Sequence, residues 1–303
     1  MIAIIGSGRV GANVAVQIVT NELDDLTLID VAQNLPQGEA MDLQHMASSY
    51  GIDLKIKGTN QFSELGRADL IIVAAGFGRK PGQTRLDLMK QNSGIVASVS
   101  KEIAKYAKSA MVLMITNPMD AMTYVAHRVT GFPTNRVFGM GGMLDSCRFK
   151  SLLARELGVS SKSLGVMVIG EHGESMVPLP RYSSVSGVPL EKFLSKEKMN
   201  KAIEMTRKIA AEVIALKGAT IYGPAASVAC MVDAIVKDRK SLMPASAYLN
   251  GEFGVSDIYI GVPVIIGRNG IERIVEVPLD DVESAIFLKG VGSLREAIST
   301  LDL

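Results

Sequence analysis

The 303-residue sequence has no tryptophan, few aromatic residues (5%) and only two cysteines. The cysteines, Cys147 and Cys230, are too few for a disulfide framework or a cysteine-rich metal cluster, so no metal site is predicted. Both lie in helical patterns, and we expect them to be small buried apolar residues.

An excess of charge of either sign is also absent, because 32 Lys and Arg residues against 31 Asp and Glu residues give a formal net charge of +1. This balance gives no electrostatic reason to expect nucleic acid or an anionic membrane as a partner. No apolar run approaches the roughly 20 residues that cross a bilayer, and the N-terminus lacks the features of a signal peptide. With 48% hydrophobic residues, we expect a globular cytoplasmic protein.

A glycine-rich turn follows the first apolar run. Residues 2–5 predict a strand, the next residues have the spacing G-x-G-x-x-G, and apolar residues then recur at helical spacing. The first glycine of such a turn permits a tight bend, the second lets the backbone approach a pyrophosphate, and the third lets the helix pack close to the strand. Free N–H groups at the helix N-terminus favour the anion. The predicted dinucleotide site comprises Gly6, Ser7, Gly8, Arg9, Val10 and Gly11.

The second predicted strand, at 26–29, ends in Asp30. An acid about 20 residues after the glycine turn can bind the ribose hydroxyls, and it would repel a 2′-phosphate. The predicted cofactor is therefore NAD rather than NADP.

Strands and helices alternate up to about residue 141, which predicts a doubly wound parallel sheet of the Rossmann type over 1–141. The expected elements are a helix near 32–47, strands near 53–57, 69–75 and 111–115, and a helix over roughly 84–108.

Residues 142–303 predict a C-terminal mixed α+β domain for the substrate, so the overall fold class is α/β. Its expected elements are a strand at 164–169, helices at 194–217 and 222–238, short strands near 242–248, 256–260, 262–267 and 271–275, and a terminal amphipathic helix.

The segment 76–85 lies between a predicted buried strand and a long helix, and it contains Arg79 and Arg85. Open α/β sheets bind ligands beyond the carboxyl ends of their strands, so these arginines could close over an anionic ligand as a lid. Taken alone, they could equally be solvated loop charges.

Four further polar residues are candidates. Asn117 would face the crevice at a strand end, unless it only shapes the turn before a proline. Asp145 and Arg148 share one helix face, and they could form an intrahelical ion pair or reach different partners in a cleft. His172, between glycines at a strand end, is a plausible acid/base group.

In this order, the motifs resemble those of the lactate/malate dehydrogenase family, and within it the lactate-dehydrogenase-like malate dehydrogenases, over essentially the whole chain. The resemblance implies NAD as cofactor, malate and oxaloacetate as substrate pair, and a homodimer or homotetramer. The motifs on which the resemblance rests are Gly6-x-Gly8-x-x-Gly11, Asp30, the segment 76–85, Thr116-Asn117-Pro118, Leu144-Asp145-x-x-Arg148 and Gly170-Glu171-His172-Gly173.

The resemblance also implies roles for individual residues. His172 would donate and accept the proton, Asp145 would orient it, and Arg85 would polarise the reacting C–O bond. The implied substrate-binding residues are Arg79, Arg85, Asn117, Arg148 and Thr220, although the surroundings of Thr220 differ from the family pattern. The implied NAD contacts beyond the glycine turn and Asp30 are Asn92, the main chain at Ile115, and Asn117.

Arg79 separates the possible substrates. The resemblance implies Gln at this position in lactate dehydrogenases and Arg in malate dehydrogenases, and a charge argument agrees. Oxaloacetate brings a second carboxylate that needs a cation in a closed site, whereas pyruvate would leave Arg79 unpaired. The alternatives are a dehydrogenase of lactate or another 2-hydroxy acid, and a non-catalytic NAD-binding redox sensor, which would have a broken catalytic set.

Overall fold

The computed structural model describes residues 1–78 and 85–301, and for Arg85 the backbone alone. The described part of the N-terminal half alternates strands and helices. The strands are β1 (Ile2–Ile5), β2 (Leu26–Ile29), β3 (Ile56–Thr59), β4 (Leu70–Val73), β5 (Met111–Met114) and β6 (Val137–Gly139), and the helices are α1 (Arg9–Thr20), α2 (Leu35–Tyr50), α3 (Arg85–Tyr106) and α4 (Met119–Thr130).

These six strands are parallel and lie in the order β3-β2-β1-β4-β5-β6. Alternate side chains of each strand enter different cores. Ile2 and Ile4 pack with α1 and α2, whereas Ala3 and Ile5 pack with α3 and α4. Because both faces are covered, the strands read as continuous apolar runs in the sequence. The predicted doubly wound Rossmann arrangement is confirmed.

The C-terminal half mixes helices with antiparallel strands. Its helices are α5 (Gly142–Leu157), α6 (Lys196–Lys217), α7 (Tyr222–Val236) and α8 (Asp281–Ser299). Its strands are β7 (Leu164–Gly165), β8 (Val168–Gly170), β9 (Met176–Pro178), β10 (Ser184–Val185), β11 (Val188–Pro189), β12 (Ser241–Asn250), β13 (Ser256–Gly267) and β14 (Gly270–Ile274).

One sheet runs through both halves. Ser246 of β12 pairs with Gly139 of β6, and Gly261 of β13 pairs with Gly170 of β8. The loop that carries His172 leaves β8 directly after this last pairing. The sheet therefore fixes the position of that loop relative to the carboxyl ends of the N-terminal strands.

The predicted pair of strands at 256–260 and 262–267 is wrong, because β13 is continuous from Ser256 to Gly267. In the sequence, Gly261 and Pro263 are typical of a break between two strands. A Cβ at Gly261 would lie 2.7 Å from the carbonyl oxygen of Gly170, so the glycine allows β8 to approach closely. It does not end the strand.

Other boundaries also differ from the prediction. The strand expected at 164–169 is divided into β7 and β8. Helix α2 begins at Leu35, because Asn34 has a left-handed conformation and Pro36 occupies the first turn. Cys230 is exposed and Cys147 is only partly buried, so the expectation that both are buried is wrong.

Across residues 1–78 and 85–301, no helix is long and apolar enough to cross a membrane. Over the same residues, no three His, Cys, Asp or Glu side chains are grouped so as to hold a metal ion.

Candidate active site

The turn between β1 and α1 needs its three glycines for different reasons. A Cβ at Gly6, where φ is +100°, would lie 2.6 Å from the backbone nitrogen of Ala75, and a Cβ at Gly11 would lie 1.8 Å from the carbonyl oxygen of Gly6. The protein's own packing therefore requires both glycines. A Cβ at Gly8 would meet no described atom within 4 Å. This open space is where the backbone could approach a pyrophosphate.

The N-terminus of α1 has the properties of an anion site. Within the described chain, no side chain caps this helix, so N–H groups of its first turn, which begins with Arg9 and Val10, are available. The hydroxyl of Ser7 is buried and has no hydrogen-bond partner among the described residues. These features fit the pyrophosphate of NAD.

Asp30 is held beside the glycine turn. Its Oδ2 accepts a hydrogen bond from the N–H of Ser7 (2.6 Å), and its Oδ1 accepts one from the N–H of Ala32 (2.9 Å). The side chain of Asn60 donates to the Asp30 carbonyl oxygen at 2.7 Å. Because a carboxylate oxygen can accept more than one hydrogen bond, Asp30 retains acceptor capacity for the ribose hydroxyls.

Asn92 is completely buried rather than solvated, which sequence reasoning did not anticipate. Its Oδ1 accepts from the N–H of Phe77 (2.8 Å), and its Nδ2 donates to the carbonyl oxygens of Phe77 (3.1 Å) and Asn117 (2.7 Å). Both amide hydrogens are thus used by the main chain. Asn92 joins the loop after β4 to the loop after β5, and so shapes one wall of the crevice.

The loop after β5 lies at the carboxyl edge of the sheet. The N–H of Ile115 donates to the carbonyl oxygen of Val73 at 2.9 Å, and the hydroxyl of Thr116 donates to that of Ala75 at 2.8 Å. The following residue, Asn117, is exposed. Its side chain is therefore accessible to a ligand in the crevice.

Asp145, Arg148 and His172 form a buried cluster. The Asp145 side chain is 1% exposed, its Oδ1 lies 2.8 Å from a guanidinium nitrogen of Arg148, and its Oδ2 lies 2.7 Å from Nδ1 of His172. Asp145 therefore makes the intrahelical pair and also reaches a second partner, whereas a separate partner for Arg148 stays a prediction. No described residue binds Nε2 of His172, which is therefore available for proton transfer within this part of the chain, and toward the described residues Arg148 retains N–H donors for a carboxylate.

The charges in this cluster shift one another's protonation. Burial alone would raise the pKa of Asp145, but His172 and Arg148 outweigh it and hold that pKa below its usual range. Burial alone would lower the pKa of His172, but Asp145 outweighs it and raises that pKa, against the opposing charge of Arg148. The protonated imidazole, which can donate a proton to an oxo acid, is therefore favoured.

Sequence reasoning missed two buried polar residues beside His172. Oδ2 of Asp120, in the first turn of α4, accepts a hydrogen bond from the main-chain N–H of His172 at 2.8 Å. Its Oδ1 accepts one from the hydroxyl of Ser246 at 2.6 Å. In the sequence, Asp120 looks like an ordinary acid near a helix N-terminus, and nothing there indicates its partners.

The structure describes three of the predicted substrate-binding residues in less detail than the others. Arg79 lies outside the described residues, and of Arg85 the structure describes only its place as the first residue of α3. Thr220 is half-buried just before α7.

The halves of the chain match two models of one family. Residues 1–139 match the lactate/malate dehydrogenase NAD binding domain, and residues 142–302 match the lactate/malate dehydrogenase alpha/beta C-terminal domain. The chain belongs to the lactate/malate dehydrogenase family. The resemblance seen in the motifs is confirmed, and NAD is the cofactor of the family's N-terminal domain.

Relatives within the family are similar over their whole length. A malate dehydrogenase of Methanosarcina barkeri is 44% identical over 304 residues, covering 100% of this chain and 99% of that protein. The structure of the malate dehydrogenase from Aeropyrum pernix has a TM-score of 0.96 at 44% identity, and the match covers 100% of this chain and 98% of that one.

A lactate dehydrogenase from Eimeria maxima, solved with NADH and oxamate, has a TM-score of 0.95 at 36% identity, over 99% of this chain and 93% of that one. Because dehydrogenases of both substrates share this fold, the choice of substrate must rest on individual residues.

Proposed function

We propose that this chain is an NAD-dependent malate dehydrogenase, which reversibly oxidises (S)-malate to oxaloacetate. The observation that carries the proposal is the buried pairing of His172 with Asp145 beside Arg148. This cluster combines an acid/base group with a carboxylate-binding cation, in a chain whose β1–α1 turn fits NAD. The malate dehydrogenases that align over the full chain support the same substrate.

When bound, the nicotinamide supplies the chemistry of hydride transfer to or from C2 of the substrate. His172 donates a proton through Nε2 to the carbonyl oxygen of oxaloacetate, and it accepts one from the hydroxyl of malate. Asp145 holds Nδ1 and stabilises the imidazolium. Arg148 binds the C1 carboxylate through its remaining donors.

The remaining substrate contacts follow from the family pattern. Arg79 pairs with the distal carboxylate, and Arg85 polarises the reacting C–O bond. Asn117, whose side chain is exposed, contacts both substrate and cofactor. Thr220 lies on the substrate side. Closure of the 76–85 segment as a lid would exclude water and strengthen these ionic contacts.

The deciding experiment compares oxaloacetate with pyruvate in steady-state oxidation of NADH, for wild type and Arg79→Gln. We expect wild type to favour oxaloacetate by roughly a thousandfold or more in kcat/KM, because pyruvate has no second carboxylate to pair with Arg79 in a closed site. Arg79→Gln should sharply reduce this preference.

Arg67→Gln is the matched control, since Arg67 is exposed and precedes β4, at the opposite edge of the sheet from the crevice. It should retain the wild-type preference. Preference of the wild type for pyruvate, or turnover of neither acid, would contradict the proposal.

Two alternatives remain distinguishable from this proposal. A dehydrogenase of lactate or another 2-hydroxy acid has the same fold, and the comparison of the two oxo acids separates it. A non-catalytic redox sensor would not need a buried acid/base pair. The pairing of His172 with Asp145 favours an enzyme.

We further propose that the enzyme is a cytoplasmic homodimer or homotetramer that serves the tricarboxylic acid cycle, with a division into domains 1–141 and 142–303. Large apolar side chains exposed on α2, α6 and α7 support self-association: Met41 (64%), Leu216 (81%) and Tyr222 (70%). Sedimentation velocity would show a single monomeric species if this assembly does not form.

A further inference from the structure

Asp120 is a buried carboxylate that lies beside His172. It is 2% exposed, and no lysine or arginine forms an ion pair with it in the described part of the chain. Its two hydrogen bonds come from neutral donors, the hydroxyl of Ser246 and the main-chain N–H of His172. Burying an acid in this way is costly, so its place beside the acid/base residue calls for an explanation.

We propose that Asp120 is a positioning residue for His172, which anchors the main chain of the histidine to the centre of the sheet and adds a second negative charge near this residue. This inference rests on the proposed role of His172 as proton donor and acceptor.

The anchor is attached to the sheet through Ser246. Ser246 is completely buried on β12, where it pairs with Gly139 on one side and with Gly261 on the other. Oδ1 of Asp120 is bound to this serine, and Oδ2 holds the N–H of His172. Three distant segments of the chain, α4, β12 and the loop after β8, therefore meet at one carboxylate.

His172 is consequently held at two points. Asp145, from α5, binds the ring at Nδ1, while Asp120, from α4, binds the main chain. Fixing only the ring nitrogen would leave the loop free to shift, and fixing only the main chain would leave the ring free to rotate. Together the two contacts define where Nε2 lies relative to the substrate.

Asp120 also acts through its charge. Burial raises its pKa to about 6, against the hydrogen bonds from Ser246 and His172, so it is mostly ionised at pH 7. Among the described residues, the charged groups facing His172 are Asp145 and Asp120, which favour imidazolium, and Arg148, which opposes it. Glu171 faces Asp120 and raises its pKa further. The second carboxylate thus helps to keep His172 protonated.

Two substitutions distinguish the positioning role of Asp120 from the effect of its charge on His172. Asp120→Asn retains an oxygen to accept from His172 and an amide that can donate to Ser246, but it has no charge. Asp120→Ala removes both functions. The assay is reduction of oxaloacetate by NADH as a function of pH, together with NMR titration of the His172 imidazole in the ligand-free protein.

Asp120→Asn should lower the pKa of His172 in the titration. The upper midpoint of the kcat/KM profile should fall by about half a pH unit or more, which is roughly a threefold loss above both midpoints. Asp120→Ala should additionally lower kcat by roughly a hundredfold with a smaller change in KM, because the histidine loses its anchor.

Thr123→Val is the matched control. Thr123 is equally buried one turn further along α4, but its hydroxyl donates to the carbonyl oxygen of Met119 within the same helix. This variant should stay within about twofold of wild type with an unchanged pH profile.

The outcomes separate this proposal from the proposed function. A wild type that does not reduce oxaloacetate would overturn the function, and the NMR titration would still decide the role of Asp120. An unchanged His172 pKa in Asp120→Asn together with wild-type kcat in Asp120→Ala would overturn the positioning role. A loss in Thr123→Val as large as in Asp120→Ala would also overturn it, because it would reflect general damage to α4.

Discussion

The two carboxylates beside His172 tolerate burial for different reasons. Asp145 shares its oxygens between two basic groups, so its charge is compensated and its pKa is lowered despite burial. Asp120 receives neutral donors, and burial raises its pKa to about 6. Asp145 therefore stays ionised at neutral pH, whereas Asp120 titrates just below neutral pH.

The two candidate arginines should separate kinetically. Arg148→Lys should raise KM for oxaloacetate roughly tenfold or more with a smaller effect on kcat, because a lysine cannot bind a carboxylate bidentately. Arg85→Gln should mainly lower kcat, since its predicted contact strengthens in the transition state. Steady-state kinetics would test both.

Arg155→Lys serves as the control for Arg148→Lys. Arg155 is exposed on the same helix, α5, and its substitution should change neither constant. If Arg148→Lys lowered only kcat and Arg85→Gln raised only KM, the two role assignments would have to be exchanged.

At the scale of elements, the β1–α1 turn shows which glycines of the motif are required by the fold and which one is attributed to the ligand. Gly6 and Gly11 are enclosed by main chain, so a side chain at either position would collide with the protein itself. Gly8 has an extended backbone, with φ of −69° and ψ of −172°, that any residue can adopt. The described part of the fold therefore does not require a glycine here, and the proposed reason for Gly8 is the approach of the pyrophosphate.

This difference predicts contrasting alanine variants. Gly8→Ala should leave the melting temperature within about 2 °C of wild type while weakening NADH binding roughly tenfold or more, because the methyl group occupies the pyrophosphate approach. Gly11→Ala should destabilise the protein by more than about 3 kcal/mol, because its Cβ meets a backbone oxygen. Calorimetry and NADH fluorescence titration would measure these effects.

Gly94→Ala provides the control. Gly94 is exposed within α3, and its Cβ would meet no described atom within 4 Å. The substitution should stabilise the helix by about 0.5–1 kcal/mol without affecting NADH binding. Weakened stability without weakened binding in Gly8→Ala would show that the fold, and not the ligand, requires this glycine.

At the scale of the whole molecule, the continuous sheet brings the two halves to one site. The antiparallel strands β12 and β13 extend the parallel sheet beyond β6, and β13 in turn pairs with β8. His172, in the C-terminal half, therefore lies against α4 of the N-terminal half. The cost of this contact is the burial of Asp120.

That cost should appear in the pH dependence of stability. The pKa of Asp120 is raised from 3.8 to about 6, so the unfolded chain releases this proton first as pH rises. The contribution of Asp120 to the free energy of unfolding is fully present below the pKa that this residue has in the unfolded chain. It is lost as pH rises through the pKa that the residue has in the folded protein. Between pH 4 and pH 7 the loss amounts to about 2 kcal/mol.

Asp120→Asn should remove this loss, so that its stability relative to wild type increases as pH rises from 4 to 7. Denaturant unfolding of both proteins at several pH values would measure the difference. A difference that stays constant across this range would contradict the buried, ionised state of Asp120 at neutral pH.

The features determined by sequence alone are those carried by local patterns. The apolar runs, the glycine spacing and the terminal Asp30 are enough to predict the doubly wound half and NAD, because each records the requirements of one strand, turn or helix. The i, i+3 spacing of Asp145 and Arg148 likewise predicts that they share a face. The ordered set of motifs indicates the family.

Only the tertiary structure decided which buried polar groups meet. Asp120 and Ser246 are 126 residues apart, and Asp145 and His172 are 27 apart, so neither contact has a local period that a sequence could display. The same reason explains why β13 continues through Gly261. The close approach of the neighbouring strand β8 requires this glycine, whereas β13 itself does not. Strand pairing between distant segments determines these contacts, and local periodicity does not record it.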